Sequence, residues 1–133
     1  MKYDILDHTA DLKIKVYGNS LNSIFENSVA AISDLITGSK SMENAIKRKV
    51  EITKQSVDDM LVQLLNDVIF YLETENVLFQ RAEINISGNR LNGILFGTKL
   101  PDNPCYSNAI KAVTYYNLKI SPEEGFAILV LDV

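Results

Sequence analysis

Apolar and polar positions recur with clear periods along most of the chain, and these periods predict its elements. Residues 12–17 alternate between apolar and polar or amphipathic side chains, the period of a half-buried strand. Apolar residues then recur every three or four positions over residues 21–36, which predicts an amphipathic helix. Ser20 is placed to cap the start of this helix, and Gly38 is placed to end it in a left-handed conformation.

The pattern continues with a second strand and a second helix. Residues 47–52 predict a strand whose charged positions face outward. Ser56 can cap a helix over residues 57–72, with acidic residues in its first turn. Phe70 lies beside the main apolar stripe of this helix, together with Met60 and Ile69, so the helix is expected to be covered on more than one side.

The remainder of the chain is rich in strand patterns. Residues 82–86 and 90–96 flank a Gly-Asn turn and predict an antiparallel hairpin. After a long loop, residues 110–120 and 126–132 predict two further strands, and the last of these is apolar on both faces, as in a central strand. The order predicts an α+β fold: a mostly antiparallel, curved sheet or sandwich with two helices packed on it.

Composition places the chain among ordinary single-domain proteins, with residues 1–133 forming one domain. The net charge is −4, from 13 basic and 17 acidic residues, so strong direct binding of nucleic acid is not expected. No apolar run reaches the roughly 18 residues of a membrane span, and no signal peptide is visible. Cys105 is the single cysteine, which excludes an internal disulfide and fits a cytoplasmic protein.

Candidate chemistry concentrates at the two ends of the chain. The motif Asp7-His8-Thr9-Ala10-Asp11 holds two carboxylates and the single histidine, and Asp132 ends an otherwise apolar strand. The first and last strands of a small domain are often neighbours, and in that case Asp11, Asp132 and the carboxylate of Val133 converge. Like charges in one place repel unless a cation lies among them, and oxygen ligands favour Ca²⁺, Mg²⁺ or Mn²⁺ over zinc.

Each of these residues also has an ordinary interpretation. Asp132 can lie at a solvated strand end at no cost. His8 is favoured as a structural hydrogen-bonding residue over a metal ligand. Lys111, at the start of a long strand, can balance the acidic cluster or contact a nucleotide phosphate, or it can be an ordinary solvated lysine.

Three motifs in order give the chain a resemblance to the archease family. They are the Asp7–Asp11 motif, Ile110-Lys111-Ala112-Val113-Thr114-Tyr115, and the final Leu131-Asp132-Val133, and the likeness extends over the whole length. The resemblance implies a small α+β accessory protein that activates the GTP-dependent tRNA-splicing RNA ligase of the RtcB type. Such a protein promotes guanylylation of the ligase and multiple turnover.

The resemblance also implies residue roles. The family's metal site, commonly occupied by calcium, falls on Asp11, Asp132 and Val133, and its functional lysine falls on Lys111. Asp7 matches the leading acidic position of the motif. The family usually has a histidine where this chain has Tyr116; the tyrosine lacks the imidazole but keeps a flat ring and a polar tip that can stack or form a hydrogen bond.

Two other functions compete with ligase activation. A stand-alone hydrolase would use Asp7, His8 and a metal-bound water, and would turn over without a partner. A chaperone-like module for an RNA-modifying enzyme would bind its client independently of the acidic residues. One histidine, one cysteine and no glycine-rich phosphate loop leave few means for independent catalysis, which favours the accessory role.

Overall fold

Seven strands and two helices follow one another in a computed structural model that describes residues 3–8, 11–38, 42–102, 104 and 106–133, apart from the side chains of Asp7 and His8. The elements are β1 (Tyr3–His8), β2 (Asp11–Tyr17), α1 (Leu21–Thr37), β3 (Ile46–Thr53), α2 (Val57–Glu75), β4 (Val77–Ser87), β5 (Arg90–Lys99), β6 (Ala112–Ser121) and β7 (Phe126–Asp132). Cys105, in the predicted long loop, and the centre of the Asp7–Asp11 motif lie outside the described residues.

The strands form two antiparallel sheets. One sheet has the order β1-β2-β7-β6, and the other has the order β3-β5-β4. Strand β7 lies between β2 and β6, as its apolar character on both faces predicts. The two helices and the two sheets enclose one apolar core, so the predicted α+β class is confirmed.

Helix α1 begins and ends where local chemistry predicts. The Ser20 hydroxyl accepts a hydrogen bond from the backbone N–H of Ser23 at 3.1 Å, and Gly38 ends the helix with a φ of 69°. The outer side of α1 reaches the free edge of β4, where Glu26 accepts a hydrogen bond from the N–H of Ile84 at 2.8 Å. The helix therefore occupies an edge that would otherwise be open to further strand pairing.

Helix α2 is capped by Ser56, whose hydroxyl accepts from the N–H of Asp59 at 3.1 Å. Met60 and Ile69 are buried as expected. Phe70 contradicts the sequence-based expectation, because 56% of its surface is exposed. Helical periodicity identifies the flanks of a buried stripe but does not say whether a neighbouring element covers them.

The strands depart most from the sequence-based prediction at β1, β4 and β6. Residues 3–8 form the edge strand β1, where Ile5 and Leu6 are both exposed because the register shifts between Ile5 and Asp7, which obscures the alternation. Strand β4 begins earlier than expected, at Val77. Strand β6 begins at Ala112, not at Ile110.

The core consists of inward-facing strand residues and the apolar stripes of both helices. Leu12, Ile14 and Val16 on β2 have no exposed surface, and neither do Phe25 on α1 and Leu61 on α2. Neither helix among these described elements combines the length and apolar composition needed to cross a membrane.

Candidate functional site

Asp11 and Asp132 are direct partners across β2 and β7. The antiparallel register runs without interruption from Asp11 opposite Asp132 to Tyr17 opposite Phe126. Both aspartates are exposed, while their chain neighbours Leu12 and Leu131 are fully buried. The strand period therefore turns both carboxylates away from the core at one end of the sheet.

Lys111 lies beside this pair. Its backbone N–H donates to the carbonyl oxygen of Asp132 at 2.7 Å, and the next residue, Ala112, is the β6 partner of Asp132. The sequence places Lys111 at the beginning of the strand, whereas the regular strand begins one residue later. Asp132 thus has Asp11 on one flank and the Lys111–Ala112 segment on the other.

Asn66 on α2 holds the beginning of β6, and the sequence-based analysis did not identify it. Its side-chain amide donates to the carbonyl of Val113 at 3.2 Å, and its oxygen accepts from the N–H of Val113 at 2.8 Å. The two bonds imitate a strand pairing at the outer edge of β6. An amide on the core-facing side of a helix is the signal that points to such a contact.

The tyrosines that follow occupy an irregular part of β6. The register with β7 shifts between Thr114 and Lys119. Tyr115 donates a hydrogen bond from its hydroxyl to Asp59 on α2 at 2.7 Å, and this bond raises the pKa of Tyr115. Tyr116 is 69% exposed, so a flat polar ring points to solvent where the family pattern has a histidine.

The other predicted site residues take distinct places. The backbone of Asp7 pairs with that of Lys13, and the backbone of His8 pairs with that of Leu12, so both lie on β1, next to β2. Their side chains are outside the described part of the chain. Val133 follows Asp132 directly and packs, half-buried, against the core.

A small cavity adjoins Lys111. It measures about 150 Å³ and is lined by Ile36, Leu72, Glu73, Tyr106, Asn108 and Lys111, among others. Its floor is apolar, while Lys111 and Glu73 place opposite charges at its rim. The cavity shows that Lys111 borders a concave surface between the segment that precedes β6 and the C-terminal end of α2.

The acidic pair offers oxygen donors only. Two carboxylates are ligands of the kind that hard divalent cations prefer. No group of three or more His, Cys, Asp and Glu residues is placed to hold a metal ion within the described residues, which leave out the Asp7 and His8 side chains. A cation held by Asp11 and Asp132 therefore requires further oxygen ligands, from Val133, from water or from a bound partner.

Comparison with known proteins adds to this geometry. Residues 3–133 match the model of the Archease protein family (MTH1598/TM1083). Proteins named archease from Thermoplasma volcanium and Thermoplasma acidophilum are 37% and 36% identical to the chain over 132 residues, covering 99% of this chain and 99% and 94% of theirs.

Two solved structures share the fold. Protein 1598 of Methanobacterium thermoautotrophicum superimposes with a TM-score of 0.77 at 26% identity, over 98% of each chain. An archease from Thermotoga maritima, described as a possible chaperone, gives a TM-score of 0.62 at 20% identity, over 100% of this chain and 98% of that one. The second likeness concerns the fold alone.

Proposed function

The chain belongs to the archease family, and on that premise we propose that it activates the GTP-dependent tRNA-splicing RNA ligase of the RtcB type. In this role it promotes guanylylation of the ligase and allows multiple turnover. The observation that supports the proposal most directly is the cross-strand pairing of Asp11 with Asp132, beside Lys111. An exposed acidic pair at the end of a sheet can enter the active site of a larger partner.

Asp11 and Asp132 would hold a divalent cation, with calcium as the first candidate and magnesium or manganese as alternatives. Val133 is the third residue of this proposed set. A bound cation supplies charge neutralisation for phosphate oxygens during nucleotidyl transfer. The protein's own contribution is rigid placement, since both aspartates lie on paired strands whose neighbouring residues are fully buried.

Lys111 would contact a nucleotide phosphate or balance the acidic pair. Its backbone bond to Asp132 keeps the two residues adjacent, and its side chain is exposed. A lysine whose backbone adjoins the acidic pair would favour a ligand that carries both metal and phosphate. Nucleoside triphosphates with a bound divalent cation meet that description.

The decisive experiment is RNA ligation with GTP, a divalent cation and ligase far below the substrate concentration. The protein is expected to convert a single round of sealing into continued turnover. Asp11→Asn and Asp132→Asn, which keep side-chain shape and remove charge, are expected to abolish this effect while remaining folded. Asp102→Asn, at an exposed loop position, is the matched control and should activate normally.

The result also separates the competing functions. Normal activation by folded Asp11→Asn and Asp132→Asn proteins would rule out the acidic-pair mechanism. If both variants suppress aggregation of the ligase, and neither they nor the wild-type protein change its turnover, the result would favour the second function. In that function the protein acts as a chaperone-like module for an RNA-modifying enzyme. Release of phosphate from GTP or a phosphoester by the protein alone would favour the hydrolase.

A further inference from the structure

Charge is unevenly distributed among the described elements. The three strands of the β3-β5-β4 sheet carry six basic residues and two acidic ones, a local charge of +4 in a chain whose net charge is −4. The basic residues are Lys47, Arg48, Lys49, Arg81, Arg90 and Lys99. Helices α1 and α2 carry seven acidic residues and no basic residue. The chain is therefore acidic overall, whereas its β3-β5-β4 sheet is basic.

Strand register places four of the six basic residues on one side of the sheet. Lys47 and Arg81 flank Phe96 in one cross-strand row. The following rows are Lys49–Ile94–Glu83, Glu51–Asn92–Asn85 and Thr53–Arg90–Ser87. Intervening positions such as Val50, Leu95 and Ala82 are buried in the core, so these rows face away from the helices. We call the exposed cations Lys47, Lys49, Arg81 and Arg90 the basic sheet face.

Phe96 forms the floor at one end of the basic sheet face. The Arg81 guanidinium carbon lies 3.9 Å from the centre of its ring, and the Lys47 ammonium lies 5.7 Å from it. Only 7% of Phe96 is exposed, since the two cations cover it. Cation–π contacts of this kind hold flexible cationic side chains on the surface of the sheet.

Acidic residues offset the face only in part. Glu83 pairs with Arg81 at 3.0 Å, but both side chains are more than half exposed, so the pair contributes little and is easily exchanged. Glu51 lies in the row next to that of Glu83. Four cations against two carboxylates leave the face positive. A shallow concavity of about 360 Å³ beside Lys49 is lined by Asn85, Asn92 and Ile94, and also by Glu83 and by Glu26 from α1.

We propose that the basic sheet face binds the sugar–phosphate backbone of single-stranded RNA. The cations extend from the Lys47–Arg81 row to the row of Arg90, across four rows separated by three steps of two residues, or about 20 Å at the usual rise of a strand. An extended polymer with a repeating negative charge matches an extended array of this kind. The exposed amides of Asn85 and Asn92 supply hydrogen bonds between the cationic rows.

Two other anionic partners fit this surface less well. A lipid surface requires protruding apolar side chains as well as cations, whereas Phe96 is buried under Lys47 and Arg81. An acidic protein segment matches the charge and can also accept hydrogen bonds from the amides, but it carries its charges on flexible side chains, whereas RNA carries one at each backbone repeat. RNA uses both the cations and the amides, and the inference goes beyond the proposed role of the acidic pair.

The test measures binding of a fluorescein-labelled oligouridylate to the protein alone, by anisotropy, over a series of low salt concentrations. Weak binding is expected, with a log–log salt slope of about −0.7 for each phosphate contacted. Lys49→Glu should weaken binding and reduce the magnitude of the slope by about 0.7 to 1. Glu51→Lys should strengthen binding, because it replaces a carboxylate of the face with a cation.

Lys119→Glu is the matched control. Lys119 is an exposed strand lysine of the other sheet, and both lysine variants change the net charge from −4 to −6. Equal loss of binding in Lys49→Glu and Lys119→Glu would show a net-charge effect and overturn the assignment of the face. Absence of RNA binding by the wild-type protein at low salt would overturn it as well.

Competitors distinguish the partner classes. Competitor concentrations are expressed as concentrations of negative charge. On that scale, unlabelled RNA is expected to displace the probe at a much lower concentration than polyglutamate or anionic phosphatidylserine vesicles do. Displacement by polyglutamate or by the vesicles at equal charge concentration would overturn the assignment to RNA. Asp11→Asn and Asp132→Asn are expected to bind the probe at least as tightly as wild type. Failure of ligase activation and failure of RNA binding are therefore separate results.

Discussion

Asp11 lies opposite Asp132 in an otherwise regular antiparallel register, so two carboxylates occupy a cross-strand position where opposite charges or apolar pairs would stabilise the sheet. Like charges placed directly opposite each other destabilise a sheet. A cation bound between the two carboxylates is therefore expected to stabilise the sheet. The stability of the fold should then depend on whether this cation site is occupied.

Neutralising one aspartate tests this relationship without any ligase. In a chelating buffer, Asp132→Asn should be more stable than wild type by roughly 0.2 to 1 kcal/mol, since the cross-strand repulsion is removed. Added calcium should raise the melting temperature of the wild-type protein and leave that of the variant unchanged. Thermal unfolding followed by circular dichroism measures both effects, and an equal calcium-dependent shift in the two proteins would contradict the assignment of Asp132 as a ligand.

Glu26 is expected to protect the edge of β4. Its carboxylate accepts from the N–H of Ile84, so Glu26→Ala leaves that donor without its partner and should cost about 1 to 3 kcal/mol. The exposed edge should also increase self-association, which light scattering after mild heating would detect. Glu26→Gln keeps an acceptor oxygen and should lose much less stability. Equal losses in the two variants would show that charge, not hydrogen bonding, is the contribution of Glu26.

Asn66 is expected to position Lys111 through β6. Asn66→Ala removes both hydrogen bonds to Val113, two residues after Lys111, so the segment beside Asp132 should loosen. The predicted result is reduced ligase activation together with faster amide exchange of Val113. Asn66→Asp keeps the acceptor and loses the donor, and should retain part of both properties. Gln63→Ala, on the same helix, serves as the control and should leave exchange at Val113 unchanged.

Tyr3 is expected to make the fold sensitive to high pH. Its hydroxyl donates to Asp34 at 2.6 Å, and burial together with this carboxylate raises the pKa of Tyr3 from 10.0 to about 12. The folded state thus holds the proton more tightly than the unfolded chain does. The associated stabilisation is complete below pH 10 and is lost as the pH rises from 10.0 through about 12.

Comparison with Tyr3→Phe isolates this contribution. The wild-type protein should be the more stable of the two at neutral pH, and the difference between them should narrow above pH 10. Urea unfolding at a series of pH values provides the measurement. A difference that stays constant up to pH 11 would contradict the linkage. Tyr17 and Tyr115, whose pKa values are also raised by carboxylate hydrogen bonds, remain present in both proteins.

Local features of the fold were predictable because their causes are local. Ser20 and Ser56 cap the helices, and Gly38 ends α1, through hydrogen bonds and backbone conformations that involve only a few neighbouring residues. Strand β7 was predicted to be central from its own composition. Strand β1 was not predicted, because its register shift exposes both Ile5 and Leu6 and so obscures the alternation of a strand. The predicted burial of Phe70 was wrong, because its exposure depends on distant elements.

The kinds of elements, their order and the residues available for chemistry could be predicted from the chain, because periodicity and capping depend on near neighbours. Which of these residues meet depends on the folded arrangement. The pairing of Asp11 with Asp132 and the bonds from Asn66 to Val113 depend on strand and helix contacts between distant parts of the chain. The basic sheet face likewise exists only because β3, β4 and β5 share a register, whereas net charge averages over every surface of the protein.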